Sequence, residues 1–381
     1  MKKVVTGVGL MLAGTAPAFA GGIERAPQSL APLFEKGNYA EISFGAVDPD
    51  VSGRDVAPAA IGGPFSTGDV AQGYGFFGLA YKHQFNENLS GALIIEQPFG
   101  ADVRYDQAPE GSPVVGGTRV RVDSTTYTAL LRYKFDNNFS VHGGVRGSYA
   151  DGRVQLQGAG YATTSGYDLD IDGTWGFGWV AGVAYEVPDI AARISLTYNS
   201  PIEHDFDMSE TGGPLPIEFT GEYEVKTPRS WTLEGQTGVA KDTLVFGSIR
   251  WVNWSEFKVD NFLFPIASPA GEIPLVEVKD TTTYTLGLGR KFTEQWSGSV
   301  SFLYEESRGS TVSPLAPVNG RKGVTLAAIY TMDNLKVTTG VNYTKLGDAD
   351  LGVGASGAKR EVAKMDDSEA WGIGVRLGYS F

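Results

Sequence analysis

Four arginines offer the most readily used chemistry in this sequence. Arg146, Arg193, Arg250 and Arg376 stand in the settings Val-Arg-Gly, Ala-Arg-Ile, Ile-Arg-Trp and Val-Arg-Leu, each inside a run where apolar and small or polar residues alternate. A guanidinium is always charged and forks onto a carboxylate, so each is a candidate partner for the head of an acidic amphiphile. Glu96, Glu234 and Glu305 occupy similar settings. Buried ions are usually compensated by one another, so each arginine also reads as half of an internal ion pair.

A second kind of site is apolar. Asn261-Phe-Leu-Phe-Pro-Ile266 places Phe262, Leu263, Phe264 and Ile266 in a polar-flanked link, followed by Ile273, Leu275 and Val276, and Pro214-Leu-Pro-Ile-Glu-Phe219 is similar. Apolar clusters in such links point to capture of a hydrophobic ligand, or to loops that fold over one another as a lid. Catalysis has little to stand on. His83, His142 and His204 lie in different segments, no cysteine is present, and no metal-ligand spacing is readable. His142 and Ser148 share a face, yet six residues of strand span roughly 20 Å, too far for a nucleophile and its base. Gly143-Gly144 falls inside strand alternation rather than in a phosphate-binding loop. No enzyme and no cofactor or metal is expected.

The elements that must hold these residues are strands. The chain ends Trp371-Gly-Ile-Gly-Val-Arg-Leu-Gly-Tyr-Ser-Phe381. With period two, Trp371, Ile373, Val375, Leu377, Tyr379 and Phe381 share one face, and Arg376 falls on the other with glycines and Ser380. A strand of that length with aromatics at both ends of its apolar face fits a tilted bilayer crossing and closes a barrel of the outer-membrane kind. The same bookkeeping turns Glu96, Arg132, His142, Arg146, Arg193, Glu234, Arg250, Glu305 and Arg376 inward, with Leu93, Ile95, Leu131, Val141, Val145, Ile194, Leu196, Ile249 and Phe302 toward lipid. A charge facing lipid at mid-membrane would cost roughly 2 to 4 kcal/mol, which favours the inward assignment.

About fourteen such strands begin near Tyr39, Gly73, Leu89, Arg121, Phe139, Asp172, Ala191, Ser230, Thr243, Thr281, Gln295, Arg321, Leu335 and Ser368. Their links alternate between tight polar turns, such as Asn86-Glu87-Asn88 and Asp333-Asn334, and long ones, such as 49–72 and 201–229. Short periplasmic turns and long outer loops follow that parity, placing both termini on the periplasmic side. Trp175 and Trp296 read as interfacial belt residues, while Trp254 beside a loop is open.

Composition agrees. Glycine numbers 51 of 381 residues, about double the usual share of ~7%. The formal net charge of -13 argues against a nucleic-acid partner. Lys2, Lys3, an apolar run to Ala16 and Ala18-Phe19-Ala20 form a signal peptide over 1–20. Residues 21–37 then form a short segment ahead of the barrel, which occupies 38–381. After 1–20 no stretch reaches the ~18 apolar residues of a membrane helix, so a membrane-spanning chain must close as a barrel.

Local patterns in the middle of the chain resemble the FadL/TodX family of outer-membrane transporters for long-chain fatty acids and hydrophobic compounds. The likeness lies in Tyr198-Asn-Ser-Pro-Ile-Glu-His-Asp-Phe206, Thr227-Pro-Arg-Ser-Trp231, Ile249-Arg-Trp-Val-Asn-Trp-Ser-Glu-Phe257 and Tyr304-Glu-Glu-Ser307, with Phe44-Gly-Ala-Val-Asp-Pro-Asp-Val51 earlier. The resemblance implies a fourteen-stranded barrel with an N-terminal hatch. It also implies capture at outer loops and sideways exit through a gap where the third strand bends inward. The third strand here contains Pro98-Phe99-Gly100; Pro98 cannot donate to a ladder and Gly100 weakens one, so a lateral gate is expected there, or else simply the strand's end. Only 21–37 are available for the hatch, shorter than the family usually carries.

The expected function is passive outer-membrane transport of hydrophobic substrates, most readily long-chain fatty acids, with aromatic hydrocarbons as the alternative substrate. A general diffusion porin for small polar solutes is the rival from another class, and an adhesive barrel a third. The expected partners are the hydrophobic substrate and outer-membrane lipid, and the resemblance favours a monomer.

Overall fold

In a strand whose backbone pairs on both sides, period-two alternation leaves one face for lipid and one for the interior, and closure is the arrangement that leaves no edge in the bilayer. The computed structural model describes residues 23–26, 28–212, 217–259, 275–307, 309, 311–354 and 359–381. Residues 1–20, assigned above as a signal peptide, lie outside the described residues, as do Phe262, Leu263, Phe264 and Ile266.

One antiparallel sheet of 17 segments closes on itself. Three of its walls consist of two segments each, so the barrel has 14 strands. In order around the wall they are Tyr39–Asp50, Tyr74–Gln84, Leu89–Glu96 continued by Gly100–Arg104, Arg119–Lys134, Phe139–Leu156, Tyr167–Val187, Ala192–Asn199 continued by Glu203–Thr211, Phe219–Lys226 continued by Ser230–Ala240, Thr243–Val252, Thr281–Lys291, Trp296–Glu305, Arg321–Met332, Leu335–Leu346 and Glu369–Ser380. The last strand pairs with the first, Tyr39 opposite Ser380 and Asp50 opposite Glu369. Every expected strand is present, most within a residue or two of its expected start; the sixth begins five residues earlier, at Tyr167.

The tight turns and the two termini share one end: Ser380 N donates to Asn334 O at 3.0 Å and Phe381 N to Asn38 O at 3.0 Å. At the other end the long link 201–229 contains a hairpin, Glu203–Thr211 against Phe219–Lys226, that carries the seventh and eighth strands beyond the membrane. Its sequence reads as loop because Glu203, Asp205, Asp207, Glu222 and Glu224 dominate, but they only line its wet face. A further small sheet of Gly53–Asp55, Ala349–Val353 and Arg360–Met365 roofs the same end.

The pleat assignments hold. Leu93, Leu131, Val145, Ile194, Ile249 and Phe302 are exposed toward lipid, while Arg132, His142, Arg146, Arg250 and Glu305 are buried inside. Trp175 and Trp296 lie exposed on the outer face, whereas Trp254 is fully buried in the apolar core. That core fills the outer half of the barrel, and a smaller cluster beneath it packs Leu30 and Leu33 against Ile94, Leu130 and Val180.

Candidate functional site

The third strand is the one interrupted where it matters most. Its first segment pairs with the second strand from Gln84 opposite Ser90 up to Leu79 opposite Ile95, and there the ladder stops. Pro98 has no N–H to continue it, and the strand resumes at Gly100 paired along its length with the fourth strand and, at Asp102–Arg104, bridged to Val70–Gln72 ahead of the second strand. The break therefore lies within the wall and not at the strand's end. Tyr74 to Gly78 keep their pairing to the first strand but face no partner strand on the other side.

The N-terminal segment takes up the backbone groups that the break releases. Arg25 N and Ala26 N donate to Pro98 O at 2.7 and 3.3 Å, and Gly100 N donates to Ile23 O at 2.7 Å. Phe99 N donates to Ser124 Oγ at 3.2 Å, while that hydroxyl donates to Phe99 O at 2.7 Å. A Cβ at Gly100 would meet the guanidinium of Arg25, which packs directly against the backbone there. Phe77 N reaches Gln97 Oε1 at 3.2 Å across the gap. A cleft of about 80 Å³ runs through the wall at this point, from luminal Arg25, Glu41 and Arg376 to Phe44, Phe77 and Leu79 on the lipid side.

Phe99, next in the chain to the Pro98 that lines this cleft, faces a second space. Its ring is buried edge-on to Trp254 at 6.3 Å, and it lines a cavity of about 90 Å³ in the outer half of the lumen. Val120, Val154, Ile171, Phe206, Leu275 and Leu315 form much of that chamber's wall. A water needs only about 10–15 Å³, so the space is several waters large, yet it is lined for an apolar guest. Its polar groups are few. Ser148 Oγ is engaged with Thr126 Oγ1 at 3.1 Å, and His204, buried against the ring of Phe206, places Nε2 3.1 Å from Ser148 O.

Below the chamber the four expected arginines divide. Arg250 meets Glu24 of the N-terminal segment at 2.5 Å and donates to Ser230 Oγ and Thr232 Oγ1 at 3.0 Å each. Arg376 pairs with Glu41 at 3.1 Å. Arg193 stacks on one face of the Phe34 ring at 4.2 Å, with Arg132 on the other at 4.5 Å and paired to Glu186. Arg146, two residues below Ser148 on the same face, is only 4% exposed and makes no ion pair within 4.0 Å among the described residues. Its Nε has no hydrogen-bond partner, and its closest electrostatic partner is Glu96.

The sequence matches the family described as "Outer membrane protein transport protein (OMPP1/FadL/TodX)" over residues 2–381. The chain belongs to this family. It is 22% identical to the "Long-chain fatty acid transport protein" of Escherichia coli K12 over 95% of this chain and 89% of that protein. A match to "Outer membrane protein P1" of Haemophilus influenzae, at 27% identity, covers 48% of this chain and 40% of that protein. Among solved structures, a Pseudomonas aeruginosa FadL homologue aligns with a TM-score of 0.72 at 15% identity over 92% of each chain. The Ralstonia pickettii toluene transporter TbuX aligns with a TM-score of 0.63 at 13% identity, over 97% of this chain and 99% of that one. As a FadL/TodX-family barrel, the protein is an outer-membrane transport protein.

In this family member, Pro98, Phe99 and Gly100 fall together at the wall break, with Arg25 beside them. Arg250 and Arg376 are committed to carboxylates, and Arg146 is not. Two features escaped the sequence reading. Ile23–Ala26 pairs with the break, although a short segment without alternation gives no such signal. The chamber draws its lining from many separate segments, of which the sequence reading singled out Phe99, Leu275 and Val276 as candidate apolar site residues. Of the other flagged loop, Ile217 is exposed while Phe219 packs against the core.

Proposed function

We propose that the protein passively carries hydrophobic substrates across the outer membrane, long-chain fatty acids first among them. The observation that carries this reading is the adjacency of the two spaces along the chain, Pro98 lining the cleft at the wall break and Phe99 the apolar chamber. Outer loops around Phe262, Leu263, Phe264 and Ile266 capture the substrate, and the chamber takes its tail. The break at Pro98-Phe99-Gly100 releases it sideways into lipid. A carboxylate cannot be stranded without a partner, and Arg146, buried and lacking an ion pair, supplies one just below the chamber. Residues 21–37 act as a plug, because Glu24 and Arg25 bridge the lumen to Arg250 and Asp123. No chemical step is part of this cycle, and the working unit is a monomer fed by the substrate gradient.

Growth on oleate of cells lacking their own fatty-acid porter tests the reading, together with oleate binding by the purified barrel. Rescue and binding are expected. Absence of both, with high conductance to ions and sugars in planar bilayers, replaces it by a general porin. Aromatic hydrocarbon is the second reading, favoured by a chamber lining that holds no cation among the described residues. Uptake of toluene without uptake of oleate would decide for it.

A further inference from the structure

The lipid-facing wall on the far side of the barrel from the break carries a groove that neither the chamber nor the gap uses. It has a volume of about 740 Å³ and runs over the sixth to eleventh strands. Its floor is a glycine pair. Gly235 and Gly247 stand opposite one another in the ladder, flanked by Ile194 and Leu286 on the neighbouring strands. Two adjacent positions thus present no side chain, while Leu233, Ile249, Leu286 and Phe302 rise around them. The result is a trough in a wall that is otherwise convex.

A cation lies just beyond the trough's turn-side end, two residues past Leu288, which pairs with the lining residue Val245. On the tenth strand Tyr284, Leu286 and Leu288 face lipid, and Arg290 continues that register at the turn side of the barrel. Arg290 is exposed, and no described residue forms an ion pair with it; Lys241 is also exposed in the turn that closes the eighth and ninth strands. From Arg290 opposite Thr243 to Tyr284 opposite Ile249 is six residues. At ~3.3 Å per residue and a tilt of about 40°, that climbs roughly 15 Å, or half of a ~30 Å hydrocarbon core. The span from Tyr284 in the trough to Arg290 beyond it therefore matches one leaflet, with a cation where that leaflet's headgroups begin.

We propose that this trough holds one phospholipid of the periplasmic leaflet, an acyl chain over Gly235 and Gly247 and its phosphate on Arg290. Methylenes leave the bulk lipid for a fitted apolar channel, and a charge-assisted pair fixes the head. A second copy of the chain suits the site less, since two convex walls would bridge the trough and leave it unfilled.

Native mass spectrometry of the full-length barrel, with phosphatidylglycerol or phosphatidylcholine supplied in the detergent, reads the occupancy. One retained phosphatidylglycerol per barrel is expected, in preference to phosphatidylcholine. Gly235→Leu fills the trough, and its Cβ meets only the Arg193 carbonyl oxygen at 3.9 Å, so the wall accommodates it. It should cut retention about tenfold, the loss of roughly two buried methylenes. Thr237→Leu is a second filler, and thermal unfolding by circular dichroism shows that both variants are folded. Arg290→Gln, at the exposed rim, should abolish the preference for phosphatidylglycerol. Equal retention by the wild type and both fillers would overturn the proposal. So would an unaltered headgroup preference in Arg290→Gln, or a wild-type dimer that the fillers dissolve with no lipid bound.

Discussion

A cation buried to 4% exposure with no ion pair within 4.0 Å among the described residues is an expensive thing to keep, and Arg146 is such a residue, with Glu96 as its main electrostatic counterpart. If it serves the substrate's head, Arg146→Gln should weaken oleate binding by roughly 10- to 100-fold, since a hydrogen bond to a charged group is worth about 1.5–3 kcal/mol. Toluene binding should be unchanged. Titration of both ligands against the variant checks this, and an unaltered oleate affinity would remove Arg146 from the site. Asp55 makes a different residue-scale case. Its Oδ1 accepts Ala57 N at 3.0 Å and Phe65 N at 2.8 Å, and its Oδ2 accepts Ser112 Oγ at 2.6 Å, all beneath the outer roof. Asp55→Ala leaves those buried donors unmatched and should lower stability by about 1–3 kcal/mol, measured as an earlier thermal unfolding of the outer loops. At this scale the sequence was legible as far as direction: the pleat alone turned all four arginines inward. It could not say who meets whom. Glu24 and Arg250 stand 226 residues apart, and only closure of the barrel brings them together.

At the scale of the element, the third strand combines a legible cause with an illegible consequence. Pro98 announces a missing donor, but the answer to it, two backbone donors from Arg25 and Ala26, comes from a segment with no periodicity of its own. The outer hairpin of the seventh and eighth strands shows the opposite failure. His204, Phe206 and Met208 alternate with Glu203, Asp205 and Asp207 as a strand should, yet the carboxylates resemble loop composition, and Asp205 even faces Glu224. Like charges opposite one another are tolerated there because that face is in water. The break itself can be tested by closing it. Phe77 and Gln97 continue the register that ends at Leu79 opposite Ile95, so they are the pair an unbroken wall would join. The chain has no native cysteine, which leaves Phe77→Cys with Gln97→Cys as the only thiols. The oxidised pair should block uptake and reductant should restore it. Oxidised barrel that transports at the wild-type rate would place the exit elsewhere.

For the whole molecule, the arrangement is a wall opened on one side and, by the reading proposed above, an interior plugged by a short N-terminal segment. Three contacts anchor that segment at different heights: Glu24 on Arg250, Phe34 between Arg132 and Arg193, and Glu35 on Lys336 at 2.9 Å. Leu30 and Leu33 fill the space between, against the inner face of the wall. If a segment this short seals the lumen, it does so through these contacts to luminal arginines and through packing rather than through length. An open barrel of fourteen strands would pass ions, whereas a lumen filled this way should not. Deleting residues 21–37 from the mature chain should therefore raise single-channel conductance in planar bilayers from near baseline to a persistent open level. Glu24→Gln should do so only intermittently, because one buried partner is lost while Phe34 and Leu33 stay in place. If the intact barrel already conducts as freely as the deletion, the segment seals nothing. A steady aqueous path would then run beside the hydrophobic one, and the selectivity attributed to the wall break would have to reside in the outer loops.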